Sequence, residues 1–246
     1  QAEAGQVVEV EITTQPSLRE KPMGKIIKVL GSYTDSGIEI EIALRKHHLP
    51  YQFSSEALSQ ANQYGDKIDQ EAIKGRVDLR ELPLVTIDGE TARDFDDAVY
   101  AESIGNEWRL VVAIADVSSY VKIGSDLDNE ALERGNSVYF PRRVIPMLPE
   151  SLSNGLCSLN PNVDRLCMVC DMIIDDHGKV ISYKFYPSVM ESKARMTYTD
   201  VSTLLKETSP ELTEKYKSII PHIKNLESVY RILTKQRHIR GAIEFD

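Results

Sequence analysis

Apolar and polar residues alternate along VVEVEIT (7–13) and along GIEIEIAL (37–44), with a third apolar-rich run, GKIIKVLG (24–31), between them. A period of two marks a half-buried strand, so residues 1–49 read as three short β-strands joined by loops. Three strands cannot close a five-stranded OB barrel, and a partial OB-type β-barrel is the expectation. Residues 50–81 read as a connector, where Pro50 ends the β-segment and Ser54 or Ser55 caps a short helix through Asn62.

Residues 82–246 carry the pattern of a mixed α/β body, so the fold class is α+β. The apolar run Leu82–Ile87 leads, and Ala98–Ser103 and Trp108–Ala115 flank Gly105-Asn106 as a hairpin. Ser125 opens a helix through about Arg134, with Leu127, Ala131 and Leu132 on its inner face. RLCMVCDMII reads as a buried strand that turns at DDHG (175–178) into VISYKFYPSVM (180–190). A short helix follows Thr199, and a longer one follows Pro221 with Ile223, Leu226, Tyr230 and Leu233 at core spacing before Gly241 ends it. SVYFPRRVIPMLPE holds three prolines and cannot be a central strand.

Composition narrows the class. With 41% hydrophobic and 27% charged residues over 246 positions, the chain has the make-up of a soluble globular protein. No apolar run approaches a membrane span, and no membrane partner is expected. The chain shows no signal-peptide pattern and starts at Gln1 rather than Met, which suggests a cut or processed N-terminus. Three cysteines cannot all pair within the chain, which fits a reducing, cytoplasmic setting. Cys167 and Cys170 form a C-x-x-C, but residues three apart on a strand face opposite ways. With Cys157 they read as core thiols. The scattered histidines and the lack of a G-x-S-x-G elbow leave zinc-hydrolase and serine-hydrolase readings unsupported.

The net charge of −9 argues against a protein that coats nucleic acid, although a local field can still guide RNA. Two acid-free stretches have the right sign: Arg134 with Arg142 and Arg143, and Arg231 with Lys235, Arg237 and Arg240. Either can equally be a solvated face. Tyr139 and Phe140 beside Arg142 and Arg143 make an aromatic and basic cluster suited to a base and its phosphate.

The densest chemistry lies in LPLVTIDGETARDFDDAVYA (82–101), where Asp88, Asp94, Asp96 and Asp97 fall between two apolar segments. Like charges so close raise one another's pKa, a cost that a hard divalent cation reverses. A calcium EF-hand loop is ruled out, because counting from Asp94 puts Val99 and Gly105 where Gly and Glu are required. Spacing alone leaves open a metal site and a solvated acidic turn. The apolar flanks favour the metal, since they hold the turn against a core. Asp116, near the same sheet end as Asp97, reads as a loop acid or cap.

TIDGETARDFDDAVY resembles the catalytic acid motif of the ribonuclease II/ribonuclease R family of exoribonucleases, and its details lean to the ribonuclease R branch. The resemblance continues through VAIADVSSYV, SVYFPRRVIPMLPE and LSNGLCSLNPNVDRLCMVCDM and covers nearly the whole chain. It implies the end of a cold-shock-type OB domain followed by the N-terminal part of the catalytic domain. It implies processive, metal-assisted 3′-to-5′ hydrolysis of single-stranded RNA to nucleoside 5′-monophosphates. Mg2+, with Mn2+ as substitute, is the implied cofactor, and no dinucleotide is called for. By resemblance Asp88, Asp94, Asp96 and Asp97 are metal ligands, with Asp96 and Asp94 tied to cleavage. Tyr139 and Phe245 stack terminal bases, and Arg142, Arg143, Lys193 and Arg195 are candidate RNA contacts. Family members also carry a later glutamate, an arginine and an S1-type domain, so this chain is expected to be inactive alone. Two other classes stay open: an RNA-binding module with a structural cation and no cleavage, and an interaction domain with a solvated acidic turn.

Overall fold

The computed structural model describes residues 2–141 and 143–243. The chain divides into two compact units, Gln1–Phe53 with Glu133–Ile145, and Ser54–Leu132 with Pro146–Asp246. In chain order the first strands are β1 (Gln6–Thr14), β2 (Met23–Ser32), β3 (Val77–Asp78), β4 (Val85–Asp88), β5 (Asp97–Ile104) and β6 (Glu107–Ala115). Then come β7 (Val138–Phe140), β8 (Arg143–Ile145), β9 (Asp164–Ile174), β10 (Val180–Glu191) and β11 (Ala194–Thr197). The helices are α1 (Ile38–Lys46), α2 (Ser55–Asn62), α3 (Gln70–Ile73), α4 (Asp126–Arg134), α5 (Tyr198–Leu205), α6 (Pro210–Lys215) and α7 (Ile220–Ile239).

In the first unit β1 and β2 form a two-stranded antiparallel sheet, and β7 pairs with β8 in a separate hairpin. The third expected strand is a helix. GIEIEIAL alternates, but the segment has acids in its first turn (Glu39, Glu41) and bases in its last (Arg45, Lys46), the order a helix dipole favours. Gly37, at φ 88°, turns the chain where a strand would have to begin. Arg45 then bonds back to Glu41 one turn earlier and to Glu9 on β1. Pro50 accordingly follows a helix and not a strand.

The second unit is built on a seven-stranded mixed sheet in the order β11-β4-β5-β6-β9-β10-β3. The β5–β6 hairpin turns at Gly105, whose φ of 63° suits the first central position of a two-residue loop. The β9–β10 turn is held by Asp175, which accepts from the N–H groups of His177 and Lys179. One sheet face packs Phe95, Ala98, Tyr100, Val111, Ala113, Cys167, Val169 and Met190 into the largest core cluster. The opposite face is covered by α5–α7, through Val85, Ala194, Met196, Leu204, Tyr216, Ile219 and Ile223.

Three side chains depart from expectation. Leu132 is 80% exposed, because α4 buries only the stripe through Leu127 and Ala131 and the next residue has turned to solvent. On α7 Val229 is buried against Ala101 and Ile174 while Tyr230 is 66% exposed, since three-residue steps from Ile223 and Leu226 lead to Val229. Of the three thiols, Cys157 and Cys167 are core, whereas Cys170 on the other face of β9 is half-exposed. Among the described residues no helix is long and apolar enough to cross a membrane.

Candidate active site

Asp88 is the last residue of β4 and Asp97 the first of β5, two antiparallel strands that meet at Val85 and Val99. The connection between them, 89–96, is anchored by Phe95, which is buried between two acids. The Phe95 N–H donates to Ser158 Oγ at 3.0 Å, and its carbonyl accepts from the Leu159 N–H at 2.8 Å. The Asp96 carbonyl accepts from the Ala115 N–H at 2.8 Å. An aromatic ring in the core and three backbone bonds therefore fix a loop that carries three like charges. Asp96 and Asp97 are the more open to solvent, although the Asp96 carboxyl is partly desolvated, and Asp88 and Asp94 are half-buried.

The four carboxylates share one field. Burial raises the pKa of Asp88, the charges of Asp97 and Asp94 raise it further, and Arg195 opposes them. Asp96 is raised by desolvation first and then by Asp94, Asp97 and Asp88. Groups that repel one another in this way, with only oxygen donors to offer, suit a hard cation. Among the described residues no three acid, histidine or cysteine side chains are gathered closely enough to hold a metal ion by themselves.

The other predicted residues are distributed as follows. Tyr139 lies on β7 with 64% of its surface exposed. Arg143 donates to Glu41 at 2.6 Å and holds that carboxyl below its usual range together with Arg45. Lys193 pairs with Glu191 at 2.9 Å. Arg195 turns to the acid loop, donating to the carbonyls of Glu90 and Ala92. Arg142 and Phe245 lie outside the described residues. Arg134 is largely buried, donating to the carbonyls of Pro50 and Gln52 with its guanidinium 3.6 Å above the Phe53 ring.

Asp116 is more than a loop acid. It is 6% exposed and accepts from Arg76 at 2.6 Å, Ser118 at 2.7 Å and Ser119 at 2.8 Å. Burial works against its charge, but these donors outweigh it and hold the carboxyl below its usual range. Sequence reasoning also missed Ser158 and Arg165, which brace the acid loop from behind: Arg165 donates to the carbonyls of Gly155 and Ser158. Their only signal was position within LSNGLCSLNPNVDRL.

The RNB domain model matches residues 76–246. The chain belongs to the RNB-domain family. A cold shock domain model matches residues 1–54, ahead of the RNB part. Ribonuclease R of Vibrio cholerae is 54% identical over 246 residues, which is all of this chain and 30% of that relative. The RNB-type chain thus spans about a third of the length of the curated relatives it matches. RNase R of Mycoplasma genitalium in complex with double-stranded RNA superposes with a TM-score of 0.88 at 32% identity, over 98% of this chain and 42% of the other. The same protein with ribose methylated single-stranded RNA gives the same TM-score over 37% of its length. These likenesses fit an OB-type region followed by an RNB-domain fold.

Proposed function

We propose that this chain carries the acid-bearing part of a hydrolytic, processive exoribonuclease that degrades single-stranded RNA from its 3′ end to nucleoside 5′-monophosphates. The observation that carries the reading is the pinned 89–96 connection between β4 and β5, around which desolvation first, and then the charges of neighbouring aspartates, raise Asp88 and Asp96. Such repulsion is costly for a fold and useful for holding a cation. Asp88, Asp94, Asp96 and Asp97 would hold Mg2+, or Mn2+ in its place. When bound, that ion supplies a water of lowered pKa and charge to offset that of the scissile phosphate.

The chain's own residues then bind and orient. Asp94 and Asp96 are assigned to the cleavage step. Tyr139 and Phe245 are assigned to stacking on terminal bases, a contact that tolerates any sequence because every base has a π-face. Arg142, Arg143 and Lys193 are assigned to backbone phosphates. Three free thiols suit a reducing, cytoplasmic location.

The test is Asp96→Asn in a protein extended to the length of the relatives, given Mg2+ and a labelled single-stranded RNA. Release of mononucleotides is expected to disappear, with RNA affinity held within about twofold, because affinity comes from phosphate and stacking contacts. Wild-type turnover in the variant assigns the chemistry to another group. If the unmutated protein binds RNA and releases nothing, the domain is a binding module.

A further inference from the structure

Resting on the reading of the aspartates as cation ligands, we propose that Arg195 is a positioning residue that latches the acid-bearing connection, and does not serve as an RNA phosphate contact. β11 runs parallel to β4 with Arg195 beside Thr86 and Thr197 beside Asp88, so the β11–α5 corner stands over the start of the connection. From there Arg195 Nη2 donates to the Glu90 carbonyl at 3.3 Å and the Ala92 carbonyl at 3.0 Å. Its guanidinium carbon lies 4.7 Å from the centroid of the Phe95 ring. Thr199, in the first turn of α5, donates to the Glu90 carboxylate. The connection is thus gripped from two sides, by Ser158 and Leu159 at residues 93 and 95 and by Arg195 and Thr199 at residues 90 and 92.

The grip answers a physical need. Five carboxylates on the ten residues 88–97 push each other apart, and a cation in the loop's own binding partner restrains that spread. A planar guanidinium can lie on a ring and give both hydrogens of one nitrogen to carbonyls, a combination a lysine ammonium does not reproduce. Arg195 is therefore expected to matter through loop geometry and to be sensitive to its shape as well as its charge.

The experiment compares wild type, Arg195→Gln and Arg195→Lys in this chain. Hydrogen exchange of the 89–96 amides is read beside Mn2+ titration and the salt dependence of binding to a single-stranded RNA. Lost contacts to a charged group predict roughly tenfold faster exchange and roughly tenfold weaker Mn2+ binding in both variants. RNA affinity and its salt slope are expected to stay unchanged. Arg195→Lys keeps the charge and guards against a variant that merely fails to fold. Wild-type exchange in Arg195→Lys overturns the latch. So does unchanged exchange in Arg195→Gln with a salt slope smaller by about one, the mark of a lost phosphate contact. If wild type takes up no Mn2+, the cation reading fails, while the exchange data still decide the latch.

Discussion

Asp88 and Asp96 hold their protons more tightly than ordinary carboxyls because burial and neighbouring aspartates penalise their charged forms. The consequence for stability has a definite sign. A raised folded pKa means that the folded chain keeps protons the unfolded chain releases. The penalty is absent below the ordinary Asp value of 3.8, grows as pH rises through the raised values and is complete above them. Asp96→Asn removes one of the repelling charges. In chelator at pH 7 the variant is expected to melt above wild type by roughly one or two degrees, the usual cost–function trade at such sites. The gap should close near pH 3.5, and Mg2+ should narrow it by relieving the repulsion in wild type. Scanning calorimetry at the two pH values checks this, and a variant less stable than wild type in chelator contradicts it. Asp116 and Asp171 act the other way. Ser118, Arg76 and Ser119 hold the Asp116 carboxyl low and Arg109 that of Asp171, so their contribution is present at neutral pH and lost on acidification below the ordinary Asp range.

At the scale of elements, burial decides which residue of a helix matters. Leu127 and Leu132 lie on the same helix, yet one is 1% and the other 80% exposed. Leu127→Ala should cost about 2–5 kcal/mol by emptying the cluster with Ala57, Leu152 and Leu156, whereas Leu132→Ala should stay within about 0.5 kcal/mol. Urea melts of the two variants test the contrast, and equal losses would place the inner face wrongly. The hairpins at Gly105 and Gly178 were legible in the sequence because turn chemistry and alternating strands agreed there. So was the cap at Ser54, which accepts from the Ala57 N–H. Residues 38–46 were misread because alternating isoleucine and glutamate satisfy a strand period, while the charge order and the Glu41–Arg45 pair that favour a helix carry no period of two. The acid cluster was visible as four aspartates in ten residues. Its supports were not, because Ser158 and Arg195 come from segments more than sixty residues away, joined to the loop only by the sheet.

For the whole molecule, holding a cation and cleaving RNA are separate demands. Metal-assisted hydrolysis also needs groups that position the phosphate and stabilise developing charge. Among the described residues, Arg195 is the cation acting on Asp88, and it is donated to backbone carbonyls. Arg143 pairs with Glu41 and Lys193 with Glu191, so a backbone phosphate would have to draw each of them from an internal acid. The expected outcome is that the 246-residue chain by itself folds cooperatively, is stabilised by Mn2+, and releases no mononucleotides from single-stranded RNA. The check is direct: incubate it with Mg2+ and end-labelled RNA beside a protein of the relatives' full length, and separate the products. Steady release of 5′-mononucleotides by the short chain, abolished in its Asp96→Asn variant, would show that the aspartate loop and its latch are sufficient for turnover. Mn2+ stabilisation without release would instead assign this part of the fold to gathering the cation and leave the stabilisation of the departing oxygen to groups elsewhere.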